Sequence, residues 1–412
     1  MVRRLAVVFA ILIFTGSVAP PPAAPAGEPI RIGFMAPLSG VFTQAGKDML
    51  AGFELGLEQA GYQVAGRKIE LIVEDSEGLT ATAVARYRKL VTQDRIHLLA
   101  GILLVNTGYA LVPLIERDQL PTLYLTTPDD LTKRRRVKWI LRTNFAASQP
   151  MHAFGDYAAK HLKYRRVATI ALDNGFGHEE IGGFQAVFEA NGGKVVQKLW
   201  YPLNALDFAP YIAQIRRDVD AVVTVNVAAQ AVRFMQQYDT SALKGKVPHI
   251  GSGVGTDAGV LRALGKEPIG VVSNLLWSAA LQNSANQTFL KLAEPKVGKS
   301  PSYFTAIMYS AARWTVEGAR LVNGDVDKRD AFLAAIKKAA ETTEDPRGPI
   351  KFDEYNNPTE NIYILRTEEV NGRLQNSVIH TYPMVSQFWT WSPEEFLKRP
   401  AYSRDYPPVS AD

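Results

Sequence analysis

Residues 30–56 read IRIGFMAPLSGVFTQAGKDMLAGFELG. The run at 30–35 is short and mostly apolar, which favours a buried strand, and apolar residues recur at helical spacing over 46–60. A strand that leads through a loop of small residues into a helix is typical of a parallel α/β unit. This segment therefore predicts an α/β fold built on a parallel sheet with helices on both faces.

The alternation of strand and helix continues along most of the chain. We predict further strands over 68–74, 97–102, 122–125, 166–172, 194–201, 221–226, 248–251, 271–277, 350–352 and 362–366. We predict further helices over 80–93, 108–118, 150–161, 179–191, 208–217, 228–238, 303–323 and 328–340. The alternation of strands and helices restarts after Asn144. After Gly270 the pattern is less regular, so we expect those segments to complete the first two units and not to form a third core. The chain is therefore expected to form two α/β units.

The first 26 residues are typical of a secretory signal peptide. Arg3 and Arg4 precede an apolar stretch at 5–14, and small residues and prolines follow it. This stretch is shorter than the ~20 residues that a membrane-spanning helix needs. The chain contains no cysteine, so no thiol is present for a lipid anchor. We therefore expect a periplasmic protein that is cleaved after export and not anchored.

A second uncharged segment, residues 98–115, is long enough to be tested as a membrane span. Asn106, Gly108 and Pro113 interrupt it. These residues fit a buried strand, a turn and the start of a helix better than a span.

Composition and motifs speak against several classes of function. The chain is 47% hydrophobic and 21% charged, and its formal net charge of +5 over 412 residues is too small to indicate a nucleic-acid partner. The six histidines lack metal-ligand spacing, and no G-x-S-x-G motif is present. The G-x-G-x-x-A match at 253–258 has no acid about 20 residues later, so it is interpreted as a turn. We expect no cofactor, no metal and no enzymatic activity, and we interpret the basic run at 133–138 as a solvated loop.

The residues that follow the predicted strands describe a small-molecule pocket. In open parallel sheets, ligands bind beyond the carboxyl ends of the strands. The side chains there are apolar or aromatic, with a few amides and hydroxyls, as in pockets for small molecules. A place in the core remains the alternative for several of them, above all for Leu104 and Val105. The candidate ligand contacts are Phe42, Ala45, Leu104, Val105, Asn106, Thr126, Thr127, Asn174, Phe176, Asn226, Gly253 and Trp277.

The ordered series of these segments resembles the branched-chain amino acid (Leu/Ile/Val) family of periplasmic solute-binding proteins, the receptors of ABC uptake systems. The resemblance covers about residues 29–390, and its matching stretches are 30–56, 99–107, 121–131, Arg142-Thr143, 166–177, 191–193 and Tyr201-Pro202. It implies two α/β lobes, joined by three hinge crossings, that close on a small-molecule ligand. It also implies a monomeric receptor, an inner-membrane permease as partner, and Phe145 as a further ligand contact. The implied parts are residues 29–144 with 277–351 as lobe one, 145–276 with 352–390 as lobe two, and 391–412 as an irregular C-terminal extension.

The departures from the amino-acid binders of this family concern the ligand. Val105 and Asn106 stand where the resemblance implies hydroxyls for an α-carboxylate, and alanines 146 and 147 stand where it implies an acid for the ammonium group. An ammonium buried without a carboxylate partner costs several kcal/mol. An aromatic slot is expected instead, formed by Phe42, Phe145, Phe176 and Trp277.

We therefore expect an aromatic or hydrophobic carboxylate of the benzoate or phenylpropanoid type as ligand. The aromatic run at 387–391 also resembles the subgroup of the family that binds aromatic compounds. A branched-chain amino acid or amide receptor is the first alternative, with Asp257 as its nearest acidic anchor. A ligand sensor and a secreted two-lobed enzyme are the others.

Overall fold

The computed structural model describes residues 27–298 and 300–411, so the expected signal peptide lies outside the described residues. The strands are β1 (Ile30–Ala36), β2 (Gln63–Val64), β3 (Arg67–Asp75), β4 (Leu98–Gly101), β5 (Thr122–Tyr124), β6 (Ile140–Arg142), β7 (Arg166–Leu172), β8 (Lys194–Tyr201), β9 (Ala221–Val225), β10 (His249–Ser252), β11 (Val272–Leu275), β12 (Ile350–Phe352), β13 (Pro358–Val370) and β14 (Arg373–Val385). The helices are α1 (Thr43–Gln59), α2 (Thr80–Thr92), α3 (Val105–Asp118), α4 (Ser148–Lys160), α5 (Gly175–Ala190), α6 (Ala209–Gln214), α7 (Ala228–Asp239), α8 (Ala258–Leu261), α9 (Ser284–Val297), α10 (Tyr303–Leu321), α11 (Arg329–Thr342) and α12 (Pro393–Leu397).

The first sheet contains β1, the strand predicted from the segment that begins at Ile30. Its strand order is β2-β3-β1-β4-β5-β6, and neighbouring strands run parallel except for β2 and β3. All residues of β1 except Arg31 are buried, and Phe34 packs on Phe53 of α1 with 5.3 Å between ring centroids. A strand covered on both faces needs a nearly continuous apolar run, and residues 30–36 supply one.

The second sheet has the strand order β12-β13-β11-β10-β9-β7-β8, with β14 paired to β13. Strands β7 to β11 run parallel to one another, whereas β12, β13 and β14 are antiparallel additions. The two-lobed α/β fold with a mainly parallel sheet in each lobe is therefore confirmed.

The segments after β11 return to both sheets, and three of their residues, Tyr355, Phe388 and Phe396, form a small apolar cluster apart from the two large cores. Helix α10 packs along α1 so closely that a Cβ atom at Gly52 would lie 2.2 Å from the backbone oxygen of Thr305. Strands β12 to β14 instead extend the second sheet. Residues 350 and 351, which the resemblance assigned to lobe one, lie in β12 and so pair within the sheet of lobe two.

The sequence patterns missed several elements, among them the short strands β2 and β6 and the short helix α8. Helix α3 begins at Val105 and not at residue 108. Helix α9 and strand β14 were not predicted at all. Most residues of β14 are half-buried or exposed, so the strand lacks the apolar alternation that marks a covered strand; pairing with β13 holds it in place.

The uncharged segment 98–115 forms β4, a short connection and most of α3. Within residues 27–298 and 300–411, no helix combines the length and the apolar character that crossing a membrane requires.

The interpretation of residues 133–138 as a solvated loop is wrong for Lys133. Its side chain is fully buried, and Nζ donates to Asp129 Oδ2 at 2.7 Å and to Ser148 Oγ at 2.7 Å. Burial lowers the pKa of this ammonium, while the Asp129 carboxylate opposes the change. The basic run therefore includes a structural ion pair at the start of α4.

The C-terminal segment, residues 386–411, packs on the second lobe. It contains α12, which begins with a capping box at Ser392, and then continues without a helix or strand to residue 411. Gln185 of α5 donates to the backbone oxygen of Pro408 at 2.7 Å, and the Ser410 amide donates to the Val195 oxygen of the edge strand β8 at 2.9 Å. The segment thus covers one edge of the second sheet, which would otherwise expose unpaired backbone groups.

Candidate ligand-binding site

A cavity of about 830 Å³ lies between the two lobes, where the parallel strands of both sheets end. Its volume falls within the ~300–1,000 Å³ range of small-molecule sites. Eight of the thirteen candidate residues line it, and their contact with a ligand stays a prediction. These eight are Phe42, Ala45, Leu104, Val105, Asn106, Thr127, Asn174 and Phe176.

Two of the candidate aromatic residues do not line the cavity. Trp277 is 2% exposed, its indole Nε1–H donates to Asn286 Oδ1 at 2.8 Å, and its ring meets Phe289 edge-on at 5.8 Å between centroids. Phe145 is also buried in the core. The expected four-ring slot is therefore wrong: its rings at the cavity are Phe42 and Phe176, and Phe304 of α10 joins them.

Three polar or small candidates also lie outside the cavity wall. Thr126 lies beneath α3, where its methyl group would be 2.7 Å from a Cβ atom at Gly108. Asn226 accepts a hydrogen bond from the Tyr201 hydroxyl at 2.7 Å. Gly253 lies against the backbone oxygen of Asn274, at 2.0 Å from where its Cβ atom would be. All three residues follow the end of a strand, but they are buried in the packed interior.

The apolar part of the wall comes from both lobes. Gly175 of the second lobe lies beside Val105 of the first, with Val105 Cγ1 3.6 Å from a Cβ atom placed on the glycine. On the first lobe, Phe42 and Leu104 converge above Gly78, each 3.8 Å from such an atom. A ligand that enters between these groups contacts both lobes at once.

The N-termini of four long helices open onto this cavity: α1, α3, α5 and α7 each contribute first-turn or cap residues to its wall. None of the four carries an acidic residue in its first turn. The cap residues Phe42, Leu104 and Val227 provide no side-chain cap, whereas Asn174 accepts from the Gly177 amide at 3.0 Å. Unsatisfied amides and the helix dipole make such ends positively polarised. The site is therefore electrostatically suited to an anion.

Two buried acids also reach the wall, and both are engaged by the protein itself. Asp257 accepts from the Tyr303 amide at 2.8 Å and from the Gly259 amide at 3.0 Å. Burial raises the pKa of Asp257 to about 6. Asp48 accepts from Gln44 at 2.9 Å and lies 3.8 Å from the guanidinium of Arg262.

Sequence reasoning missed the contribution of α7. Its residues Ala229, Val232, Arg233 and Gln236 line the cavity along one face of the helix. Their spacing of three to four residues is a helical face and was visible in the sequence. Nothing in the sequence showed that this face, rather than the one carrying Phe234, turns towards the other lobe. Asn144 likewise lines the cavity in place of its predicted neighbour Phe145.

Comparison with known proteins agrees with this architecture. A family model described as periplasmic binding protein matches residues 29–372. An ABC transporter substrate-binding protein from Sphaerobacter thermophilus is 32% identical, with a TM-score of 0.82, over 87% of this chain and 99% of its own. A solute-binding protein of an ABC transporter from Rhodopseudomonas palustris BisB5, solved with 3,4-dihydroxybenzoic acid, is 28% identical, with a TM-score of 0.80, over 87% of this chain and 98% of its own.

A curated relative carries a different name. The Leu/Ile/Val-binding protein homolog 6 of Brucella suis biovar 1 is 24% identical over 362 residues, which cover 86% of this chain and 91% of the relative. The family model spans far more than half of the chain, and the two-lobed fold agrees with it. The resemblance noted in the sequence is thereby confirmed: this chain belongs to the periplasmic binding protein family, with the two-lobed type I fold of its Leu/Ile/Val-binding branch.

Proposed function

We propose that this protein is the extracytoplasmic solute-binding receptor of an ABC importer, and that it closes on a small aromatic or hydrophobic carboxylate of the benzoate or phenylpropanoid type. The observation that carries the proposal is the cavity itself. Its wall is apolar and aromatic around Phe42, Leu104, Val105 and Phe176, and four helix N-termini without first-turn acids open onto it.

The electrostatic argument favours a carboxylate over a neutral or cationic group. Each helix end interacts favourably with an anion by ~0.3–1 kcal/mol at exposed positions and by up to ~2 kcal/mol when partly buried. The amides at the N-termini of α1, α3 and α7, which no side chain caps, are donors for carboxylate oxygens. The ring of the ligand would then pack against the apolar side chains, where each Å² of apolar surface removed from water contributes ~25 cal/mol.

A branched-chain amino acid or amide is the second candidate. Asp48 and Asp257 in the wall favour it, since an ammonium group needs a carboxylate partner. Against it, Asp257 already accepts two backbone hydrogen bonds and Asp48 interacts with Gln44 and Arg262. The relatives are divided in the same way, one being named for Leu/Ile/Val and another solved with a dihydroxybenzoic acid.

Calorimetric titration of the mature protein with benzoate, 3-phenylpropanoate and leucine tests the proposal. We expect both aromatic acids to bind and leucine not to bind. Phe176→Ala should weaken the aromatic acids by about tenfold, or ~1.4 kcal/mol, whereas Phe289→Leu, a core change remote from the wall, should leave their dissociation constants unchanged. Leucine binding without aromatic-acid binding would overturn the ligand class and direct attention to Asp257.

The proposal includes a permease in the inner membrane as the partner for transport. It also includes a periplasmic location for the receptor, which acts as a monomer. Co-purification of the liganded receptor with the permease encoded beside its gene, and ligand-dependent ATPase stimulation in proteoliposomes, would support import. Ligand binding without stimulation of a neighbouring transporter would favour a sensor instead. Recovery of unchanged ligand after denaturation is expected of a receptor, and a modified ligand would point to an enzyme.

A further inference from the structure

Helix α7 presents two polar side chains to the cavity, and the protein itself does not use them. Arg233 and Gln236 lie one turn apart on the face that also carries Ala229 and Val232. In the part of the chain that the structure describes, neither side chain has a hydrogen-bond or ion-pair partner. Arg233 is solvent-exposed, so its guanidinium is accessible from the cavity.

The other arginine of the wall is in a different situation. Arg262 donates to the backbone oxygen of Ser300 at 2.6 and 3.1 Å and lies 3.8 Å from the carboxylate of Asp48. Its donors therefore serve the contact between α8 and the first lobe. Among the described residues that line the cavity, Arg233 is the cationic side chain without a hydrogen-bond or ion-pair partner.

The size of the cavity supports a ligand with two ends. A volume of about 830 Å³ lies in the upper part of the range that holds drug-sized molecules. A single aromatic ring with one carboxylate fills a small part of it. If the carboxylate lies at the helix N-termini, the remaining space extends along α7 past Val232 to Arg233 and Gln236.

We infer that the ligand is an aromatic diacid, or an aromatic acid with a second strongly accepting group, and that Arg233 binds this second group. The inference rests on the proposed function, because the first carboxylate and the ring occupy the site described above. A guanidinium suits this role, since its planar fork donates two parallel hydrogen bonds to a carboxylate. Gln236 adds an amide donor one turn further along the same face.

Such a ligand would also bridge the lobes. Helix α7 belongs to the second lobe, whereas α1 and α3 belong to the first. A molecule held at α1 and α3 by one carboxylate and at Arg233 by the other links the two halves, so its second charge contributes to closure as well as to affinity.

The test compares two pairs of acids that differ by one carboxylate: benzoate with benzene-1,4-dicarboxylate, and 3-phenylpropanoate with 3-(4-carboxyphenyl)propanoate. Each is titrated into the wild type, Arg233→Gln and Arg217→Gln. Arg217 is an exposed arginine of the same lobe outside the cavity wall, so its variant removes the same charge elsewhere. In the wild type we expect one diacid to bind about tenfold more tightly than its partner.

Arg233→Gln should abolish this preference and leave the monoacid dissociation constants within about twofold, whereas Arg217→Gln should retain it. Monoacids that bind at least as tightly as both diacids, or a preference that survives in Arg233→Gln, would overturn the inference and leave the proposed function intact. Binding of leucine with no binding of any of the four acids would overturn both.

Discussion

Glu180 provides a test of the burial in the second lobe, because its carboxyl group is fully buried in α5 without a compensating charge. Neither carboxylate oxygen has a hydrogen-bond partner among the described residues, and the nearby Ser252 hydroxyl offsets only part of the cost. Burial, with a smaller contribution from Asp129, raises the pKa of Glu180 from 4.5 to about 8. The folded protein therefore holds this proton across neutral pH, while the unfolded chain releases it near 4.5.

The sign of the effect follows from proton linkage. Between the two pKa values the folded state binds more protons than the unfolded state, so the free energy of unfolding falls as the pH rises. One pKa unit corresponds to ~1.4 kcal/mol, so Glu180 should destabilise the protein by about 3 kcal/mol more near pH 7.5 than near pH 5. Glu180→Gln keeps the shape and cannot ionise. Its stability relative to the wild type should therefore increase by about 3 kcal/mol between these two pH values.

Urea unfolding followed by tryptophan fluorescence at both pH values measures this difference. Glu116→Gln, on the exposed face of α3, is the matched control. Its stability relative to the wild type should be the same at both pH values. If the Glu180→Gln difference is equally independent of pH, then Glu180 is ionised in the folded protein, and the argument from its burial is refuted.

Three further changes test the packing described above. Gly52→Ala should destabilise the protein by ~2 kcal/mol or more, because the new Cβ atom meets the immobile backbone oxygen of Thr305, and thermal unfolding would show this; an unchanged midpoint would mean that α10 moves easily. Lys133→Met should cost about 3–5 kcal/mol in urea unfolding, since it leaves the Asp129 carboxylate buried without its partner; a loss below ~1 kcal/mol would contradict a buried pair. Trp277→Phe should lower the free energy of unfolding by ~1–3 kcal/mol, because the indole hydrogen bond is lost. The ligand dissociation constant measured by calorimetry should stay within twofold of the wild type. Weaker binding at unchanged stability would mean that Trp277 contacts the ligand.

Most of the architecture could be predicted from local patterns. The strands 166–172, 194–201 and 350–352 were predicted with their observed bounds, because apolar runs of strand length between helical segments have few other interpretations. Strand β14 was not predicted, because its side chains are only partly buried. Its pairing with β13 is a contact between strands that no local pattern encodes.

The sequence predicted which strand ends border the cavity. It did not predict which side chains at those strand ends face the cavity. Asn144 and Phe145 are adjacent, yet the first lines the cavity and the second lies in the core. Trp277 is an aromatic residue, a type that commonly lines ligand sites. Its indole instead makes a buried hydrogen bond to Asn286. Which side of a loop faces the ligand depends on how α4, α7 and α9 pack, and this packing involves residues far apart in the chain.

The sequence by itself determined the α/β alternation, the two-lobed plan and the position of the candidate ligand site at the ends of the parallel strands. These properties follow from hydrophobic periodicity and chain connectivity, which are local. Only the tertiary structure decided that Lys133 is a buried ion-pair partner, that Trp277 belongs to the core and that Arg233 faces the cavity. The physical reason is that burial and charge pairing depend on neighbours brought together by folding, so the same residue type is solvated in one place and structural in another.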